Sequence, residues 1–442
     1  MKDRKKLILK MTLLPFLIMV LASQAQQSKT LALDEAIELS IKNSKHLRLG
    51  KARIEEAIAA TKEAMERRLP DAIMSGAYMR LSSPAIDMKT ASNARDSNSI
   101  APAHVSQVIY GMANLSLPIY SGLKITYGIE SAKFLEEAVR MDEENDRQGI
   151  ILNTIAAYIN LYKANAAAKL VEENLVQSRQ RDTDFSNLEK NGLLARNDLL
   201  KAQLETSNQE LVLVDAENDI KLAMVNMNLM LGLPESTILN LDSNSLRKPG
   251  EIKTIEEYEQ LASQNRSDVK AMDYRLKAAN TNVKVAKGDY YPGVALTGGY
   301  IAADIPKFLV VSNALNIGVG VKYSVSSLWK TSSKVQQAKA RVHQLEANEA
   351  MLNDQIHLSI NKAYQDYLSG LKKIEVYNKA LEQATENYRI NKNKYNNNLL
   401  TLTDLLDADV AQLRAKMNLT FAKADLVLTY QTLLQKAGLL NQ

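Results

Sequence analysis

The chain has 442 residues, 46% of them apolar and 24% charged, a composition typical of an ordered protein of about two or three domains. Cysteine is absent, which excludes disulfides, thiolate metal sites and thiol catalysis. The chain has 55 basic and 50 acidic residues, and five of the basic and one of the acidic residues lie within residues 1–25. The remainder therefore has 50 basic against 49 acidic residues, a net charge of +1, and no nucleic-acid partner is expected.

The N-terminus has the pattern of a secretory signal. A basic segment from Lys2 to Lys10 precedes an apolar run from Met11 to Ala22, and small residues follow up to Ala25. The alternative is a membrane anchor, but the run is shorter than the ~20 apolar residues that a helical span requires. We therefore predict a signal peptide over residues 1–25, with no lipid attachment because no cysteine follows it.

The rest of the chain is an internal duplication. Matching residues lie 222 positions apart early in the chain and 206 positions apart later, so one copy carries 16 extra residues in a loop. This predicts a first repeat over residues 26–248 and a second over residues 249–442. Matched pairs include Gly76 with Gly298, Tyr78 with Tyr300, Tyr158 with Tyr364, Asp198 with Asp404, and Gly232 with Gly438.

Each repeat is predicted to contain two helices, two strands, a very long helix, a polar tip and a returning helix. In the first repeat the helices cover residues 31–42 and 46–69, the second ending where Pro70 cannot continue it. The long helix from Ser121 to about Asn191 lacks proline, and at ~1.5 Å per residue it is a rod on the order of 100 Å. The tips are predicted near residues 192–198 and 395–404.

Such rods need similar rods to pack against. In the last helix seven apolar residues recur at spacings of three and four, the seam of a coiled coil. The alternative is a bundle of four separate helices. The seam residues are Leu406, Val410, Leu413, Met417, Phe421, Ala424 and Leu428.

Four strands are predicted at about 71–82, 106–119, 292–303 and 314–326. The last alternates most clearly, with apolar residues at odd positions from Leu315 to Val325. A half-buried strand of a soluble sandwich has the same pattern, but the chain offers no partner sheet to cover the apolar side. We therefore predict transmembrane strands, for which ~9 to 11 residues suffice. The hairpin loops, residues 80–105 and 302–313, are predicted to face outward, and the first, rich in Ser, Asn and Ala, is predicted to be a plain solvated loop.

Four strands cannot close a barrel, and lipid does not tolerate an open sheet edge because its backbone groups find no partner there. If the strands span a membrane, several chains must contribute to one barrel. The predicted fold is thus an α+β membrane protein with duplicated long helical hairpins and four transmembrane strands per chain.

No catalytic constellation is recognisable. The four histidines, at positions 46, 104, 343 and 357, are scattered, and none is expected to bind a metal together with carboxylates. No glycine-rich phosphate loop or hydrolase nucleophile motif occurs. The sequence therefore predicts that the protein is not an enzyme and has no cofactor or metal.

Two carboxylates mark the second tip. Asp404 and Asp407 are three residues apart at the start of the returning helix, so both point to one side. Thr401 to Asp404 also has the pattern of a capping box, which explains Asp404 without a function and explains Asp407 less well. If tips converge on an axis in an oligomer, the two carboxylates of each chain form a ring that selects cations.

The chain resembles the TolC-type outer-membrane channel family, the exit ducts of tripartite efflux pumps and type I secretion systems. The resemblance rests on the duplication, on two strands per repeat, and on the stretch from Leu117 to Leu123 that leads into the long helix. Its most specific motifs are Tyr395 followed by Asp404-Leu-Leu-Asp407-Ala, and residues 192–198 in the other tip.

The resemblance implies a homotrimer with a shared 12-stranded barrel in the outer membrane of a Gram-negative cell. A coiled-coil tunnel is expected to extend through the periplasm, with residues 31–42 and 254–264 in an equatorial belt. The expected partners are outer-membrane lipid, a periplasmic adaptor (membrane fusion protein) and an inner-membrane transporter. The alternative is a soluble periplasmic coiled-coil adaptor or structural protein, although adaptors usually carry one hairpin between β-rich halves.

The resemblance also assigns roles to tip residues. Asp404 and Asp407 are expected to line the closed periplasmic aperture, and Tyr395 is expected to bond Asp198 and hold the gate shut. A second contact in the family uses an arginine and a threonine, and this chain has Leu400 and Asn197 at those positions. The second contact is therefore not expected here in the same form.

Overall fold

The computed structural model describes residues 28–82, 85–86, 103–242, 250–306, 309–397 and 399–440. The predicted signal peptide lies outside the described residues, as does most of the enlarged loop of the first repeat. The helices described are α1 (Leu33–Asn43), α2 (Lys45–Glu66), α3 (Lys124–Lys190), α4 (Arg196–Leu231), α5 (Ile255–Asn265), α6 (Ser267–Lys287), α7 (Ser327–Asn396) and α8 (Leu402–Lys436).

The strands lie mostly where the alternating stretches occur, with two differences in the loops. The second hairpin loop is shorter than predicted. A register shift near Ala303 interrupts the alternation of apolar and polar residues, so the sequence pattern does not show the full length of the strands. The first loop, expected to be plain, contains two short strands. The strands described are β1 (Ser28–Leu31), β2 (Asp71–Arg80), β3 (Ala85–Ile86), β4 (Ala103–His104), β5 (Gln107–Tyr120), β6 (Ile238–Leu241), β7 (Gly293–Ile305) and β8 (Leu309–Lys322).

The two long helices are unbroken: α3 has 67 residues and α7 has 70. Neither contains proline, which would remove a hydrogen bond and kink the helix. The alternative of four separate, shorter helices is therefore wrong. Each long helix continues through a tip into a returning helix, α4 or α8.

The chain divides into two compact units. One contains residues 143–267 and 352–442 together with the segment that ends at Gly50, and the other contains residues 51–142 and 268–351. Each sequence repeat contributes residues to both units.

The first unit has a core built around Tyr158, which is fully buried. Its hydroxyl donates hydrogen bonds to the backbone oxygens of Leu31, at 2.9 Å, and Asp242, at 3.1 Å. Leu31 is the last residue of β1 and Asp242 follows β6, and these two strands pair in parallel. Burial of the ring together with its paired hydroxyl fixes this junction.

Two glycines in this unit occupy equivalent positions of the repeats. Gly232 and Gly438 end α4 and α8 with φ of 69° and 72°, a conformation that favours glycine. A Cβ atom on Gly232 would lie 2.8 Å from Cβ of Asn43, and one on Gly438 would lie 3.1 Å from Cβ of Asn265. The same close contact thus occurs at matched positions of both repeats.

The returning helix α8 buries a broader face than the predicted seam. Leu413 and Ala424 of the seam are buried, but its other five members are only half-buried. A row that begins at Leu402 and Leu405 and continues through Ala408 and Asp409 is fully buried as well. The reason is that α8 contacts both α4 and, through Asp409, α3, so a single seam cannot cover its contacts.

The second unit contains an antiparallel sheet in the order β2-β5-β7-β8. Directly opposed residues share a face, and one row runs Met74, Ala113, Tyr300, Leu315 across all four strands. The neighbouring row on the other face runs Ile73, Asn114, Gly299, Asn316. The register therefore places a continuous apolar row on one face, while the other face has both polar and apolar residues.

Ion pairs join the sheet to the helices that leave it. Asp289, just before β7, accepts from Lys124 at 2.8 Å and from Lys334 at 2.7 Å. Lys124 is the first residue of α3, and Lys334 lies about two turns after the start of α7. One carboxylate thus holds the starts of both long helices.

Candidate functional site

The two tips turn in the same way. In the first, Gly192 has φ of 67° and the N–H of Leu193 donates to the oxygen of Leu188 at 2.9 Å. In the second, the N–H of Leu399 donates to the oxygen of Lys394, also at 2.9 Å. Leu193 and Leu399 are each 74% exposed, so both tips present one apolar side chain to solvent.

The predicted aperture carboxylates are both exposed at the start of α8. Thr401 caps the helix by accepting from the N–H of Asp404 at 3.3 Å, and its hydroxyl donates to Oδ2 of Asp404 at 2.5 Å. Asp404 is thus part of a helix cap, as the capping alternative expects, although its carboxylate bonds the hydroxyl and not the backbone. Asp407 makes no hydrogen bond or ion pair within the described part of the chain, and capping leaves it unexplained.

The predicted gate contact joins Tyr395 on α7 to Asp198 on α4. Tyr395 is half-buried against an apolar cluster, with its ring 5.8 Å from that of Phe185. Burial raises the pKa of the Tyr395 hydroxyl, the negative charge of Asp198 raises it further, and the positive charge of Arg181 lowers it. The structure thus brings Asp198 within electrostatic reach of Tyr395, and no hydrogen bond between them is present among the described residues.

Leu400 and Asn197 carry no charge. Leu400 is half-buried and Asn197 is exposed. An arginine contact cannot form at these two positions, as the sequence analysis expects.

An arginine that the sequence motifs did not indicate lies nearby. Arg181 on α3 forms an ion pair with Asp409 on α8, with Nη1 and Oδ2 2.8 Å apart. The side chains are only 11% and 6% exposed. The sequence contains one indication of this pair. Asp409 is a charged residue, and its position relative to Leu405 and Ala408 places it on the buried face of α8.

The sheet presents its apolar face without a cover. Leu315 and Ile317 on β8 are 80% and 82% exposed in the single chain, and Val319 and Val321 continue the row. Soluble proteins rarely expose contiguous apolar surface of this kind, which marks an interaction site or a membrane site. The strands β2 and β8 are the edges of this sheet.

Three histidines, at positions 46, 343 and 357, each lie beside one carboxylate. His46 lies 3.3 Å from Asp146, and His357 lies 3.0 Å from Glu259. His343 lies 3.0 Å from Glu346, a pair three residues apart that the sequence itself could have shown. Each is a single pair, and no cluster of three metal-binding side chains occurs in the ranges that the structure covers.

No helix in the described ranges is long and apolar enough to cross a membrane.

The described residues thus combine unbroken helical hairpins that have polar tips with a sheet that has an uncovered apolar face. Residues 259–439 match the model of the outer membrane efflux protein family. The match covers most of the second repeat, and the comparisons below extend the similarity to the first repeat. Over these residues the chain is similar to outer membrane efflux proteins.

Relatives and solved structures agree with that family. The outer membrane efflux protein BepC of Brucella suis biovar 1 (strain 1330) is 23% identical over 435 residues, which cover 95% of this chain and 87% of BepC. The outer-membrane channel OprN shares the fold with a TM-score of 0.76 and 18% identity, over 92% of this chain and 89% of OprN. A structure of CusC, described with transmembrane channel formation, has a TM-score of 0.77 and 17% identity over 92% of both chains.

Proposed function

We propose that this protein is the outer-membrane exit duct of a tripartite efflux pump or a type I secretion system. The observation that carries the proposal is the uncovered apolar face of the four-stranded sheet, which spans β2, β5, β7 and β8 in register. Exposure of this apolar face to water is unfavourable, whereas the hydrocarbon of a bilayer would cover it. The protein thus resides in the outer membrane and its helices extend into the periplasm.

The open sheet edges require more than one chain in the proposed barrel. β2 and β8 have one paired side each, and a lipid-exposed edge leaves backbone groups without partners. A homotrimer closes the sheet by pairing β8 of one chain with β2 of the next, which gives a barrel of 12 strands from four per chain. The duplicated hairpins of three chains then form a coiled-coil tunnel.

The channel is passive and is gated at its tips. Asp404 and Asp407 form the periplasmic aperture. The contact of Tyr395 with Asp198 holds the aperture closed. Leu400 and Asn197 do not form the arginine contact. The exposed position of both aspartates and the electrostatic contact between Tyr395 and Asp198 support these roles. A periplasmic adaptor and an inner-membrane transporter dock on the tips and favour the open packing of the hairpins.

The alternative, a soluble periplasmic adaptor or structural protein, is not favoured by the family match or by the uncovered sheet face. The two functions are separated by fractionation and by bilayer recordings on the full chain. The exit duct requires detergent for extraction, elutes as a trimer and conducts ions across a planar bilayer. A protein released with the soluble periplasmic fraction, which adds no conductance, would exclude the proposal.

Replacing Tyr395 by phenylalanine is expected to raise the resting conductance of the channel. The ring stays in its cluster beside Phe185, while the hydroxyl that would bond Asp198 is lost. A hydrogen bond to a charged group contributes about 1.5–3 kcal/mol, so the ratio of open to closed channels should rise roughly tenfold or more. The measurement is single-channel recording without adaptor.

The matched control is Tyr377→Phe, on the same helix and about five turns from Tyr395. Its resting conductance should equal that of the unmodified channel. If Tyr395→Phe also leaves the closed state unaltered, the hydroxyl of Tyr395 is not part of the gate.

A further inference from the structure

Arg181 and Asp409 form a buried ion pair, with side chains only 11% and 6% exposed. By contrast, the pairs of Lys163 with Asp425 and of Arg179 with Glu210 each have at least one side chain that is half exposed or more. Arg181 lies on α3 of the first hairpin and Asp409 on α8 of the second. The pair therefore joins the two hairpins to each other, close to the tips.

The pair is embedded in a partly satisfied polar network. Asn174 donates to Oδ1 of Asp409 at 3.2 Å, and Nη2 of Arg181 donates to Oγ of Ser178 at 3.0 Å. Nε of Arg181 is buried and has no partner in the described residues. Buried ion pairs add little net stability, because desolvation offsets their attraction, and an unpaired donor lowers it further. The pair is therefore better explained by the geometry it imposes than by stability.

Arg181 also faces the tyrosines of α7. Arg181, Tyr388 and Tyr395 line one open cavity of about 440 Å³. Burial raises the pKa of the Tyr388 hydroxyl and the charge of Asp409 raises it further, while Arg181 lowers it. Arg181 likewise lowers the pKa of Tyr395. One guanidinium thus acts on α8 through an ion pair and on α7 through both tyrosines.

The duplication does not account for this pair. The positions equivalent to Arg181 and Asp409 at the offset of 206 are Asn387 and Gln203, which are both uncharged. Equivalent positions elsewhere, such as Gly232 and Gly438, keep the same contacts. The ion pair is thus an asymmetric addition to a symmetric scaffold.

We propose that Arg181, through its ion pair with Asp409, is a positioning residue that holds the two hairpins together in the closed state of the channel. The proposal rests on the proposed function, because it concerns the gate of that channel. Separation of the hairpins at the tips requires the pair to break, and a buried charge without its partner is strongly unfavourable.

Single-channel recording of the trimer, without adaptor, tests this role. Arg181→Met and Arg181→Glu should each raise the resting open probability roughly tenfold or more, because the closed packing loses its buried pair. The exchanged pair, Arg181→Glu with Asp409→Arg, should bring the open probability back toward that of the unmodified channel. Rescue by exchange depends on charge pairing, which a loss of packing would not reproduce.

The control lies on the same helix. Arg179 pairs with Glu210 at 2.9 Å, but the two side chains are 60% and 49% exposed and join α3 to α4 within one hairpin. Arg179→Met should leave the resting open probability unchanged, because exposed ion pairs contribute little. An Arg181→Met channel with normal trimer stability and normal resting open probability would overturn the proposal, as would an exchanged pair that fails to rescue.

A second measurement does not require conduction. Because the chain has no cysteine, spin labels can be placed at Lys190→Cys and Lys394→Cys, both exposed near the tips, in trimers diluted with unlabelled chains. Arg181→Met should lengthen and broaden the label distance, and Arg179→Met should not. An unchanged distance contradicts the role of Arg181 even if bilayers show no conductance, whereas the absence of conductance by the unmodified protein contradicts the proposed function alone.

Discussion

Replacing Ile317 by lysine is expected to prevent assembly of the protein in the outer membrane. Ile317 is 82% exposed in the single chain and lies on the apolar face of β8, between Leu315 and Val319. A lysine facing lipid near the bilayer centre costs about 2–4 kcal/mol, and a trimer carries the change three times. Because the native state of a protein is only marginally stable, this cost should remove most of the assembled trimer.

The measurement is the amount of trimer in the detergent-extracted membrane fraction. Asn316→Lys is the matched control, because Asn316 is the next residue along β8 and lies on the opposite face. This variant should assemble normally, since its lysine faces the water-filled lumen of the proposed barrel. Equal loss of trimer in both variants would show that lysine disrupts β8 for a reason unrelated to lipid. Normal assembly of both variants would show that this face of the sheet does not contact lipid.

The Asp404→Asn, Asp407→Asn double variant should lose its sensitivity to divalent cations. In the proposed trimer these residues place six carboxylates around the aperture, and a ring of acidic side chains attracts and holds cations there. Without the ring, the concentration of a divalent ion that halves the conductance should rise by about tenfold or more. The measurement is a titration of single-channel current with the divalent ion from the periplasmic side.

Single variants separate the gate from the helix cap. Asp404 bonds Thr401, so Asp404→Asn alone changes the start of α8 as well as the charge. Asp407 has no such bond within the described residues, so Asp407→Asn should weaken divalent block without altering the thermal stability of the trimer. Asp184→Asn serves as the control, because Asp184 is exposed on α3 near the tip and bonds Gln180 on its own helix. Divalent block that is unchanged in the double variant would place both aspartates away from the aperture.

The long helices and the strands could be read from the sequence because their patterns are local. Long stretches without proline predict α3 and α7, and the alternation from Leu315 to Val321 predicts β8. The loop between β7 and β8 was misjudged, because a register shift at Ala303 breaks the alternation. The short pair of β3 and β4 was missed, since two residues per strand carry no period.

The tips show the same division. Asp404 and Asp407 stand out because they are carboxylates three residues apart at a helix start, and Tyr395 and Asp198 were identified only through the family resemblance. The ion pair between Arg181 and Asp409 joins residues 228 positions apart. Helical periodicity does not report such a contact, because it depends on how separate helices pack.

By itself, the sequence predicted the duplication and the types of helix and strand, because repeats and periodicities can be recognised along the chain. The class of protein was predicted from the resemblance to a known family. The tertiary structure alone decided that the apolar residues of four strands fall into register on one uncovered face. It also decided that Arg181 is buried against Asp409, and that the broad buried face of α8 exceeds a single seam. These features arise from contacts between distant segments, whose geometry is fixed only when the hairpins and the sheet pack.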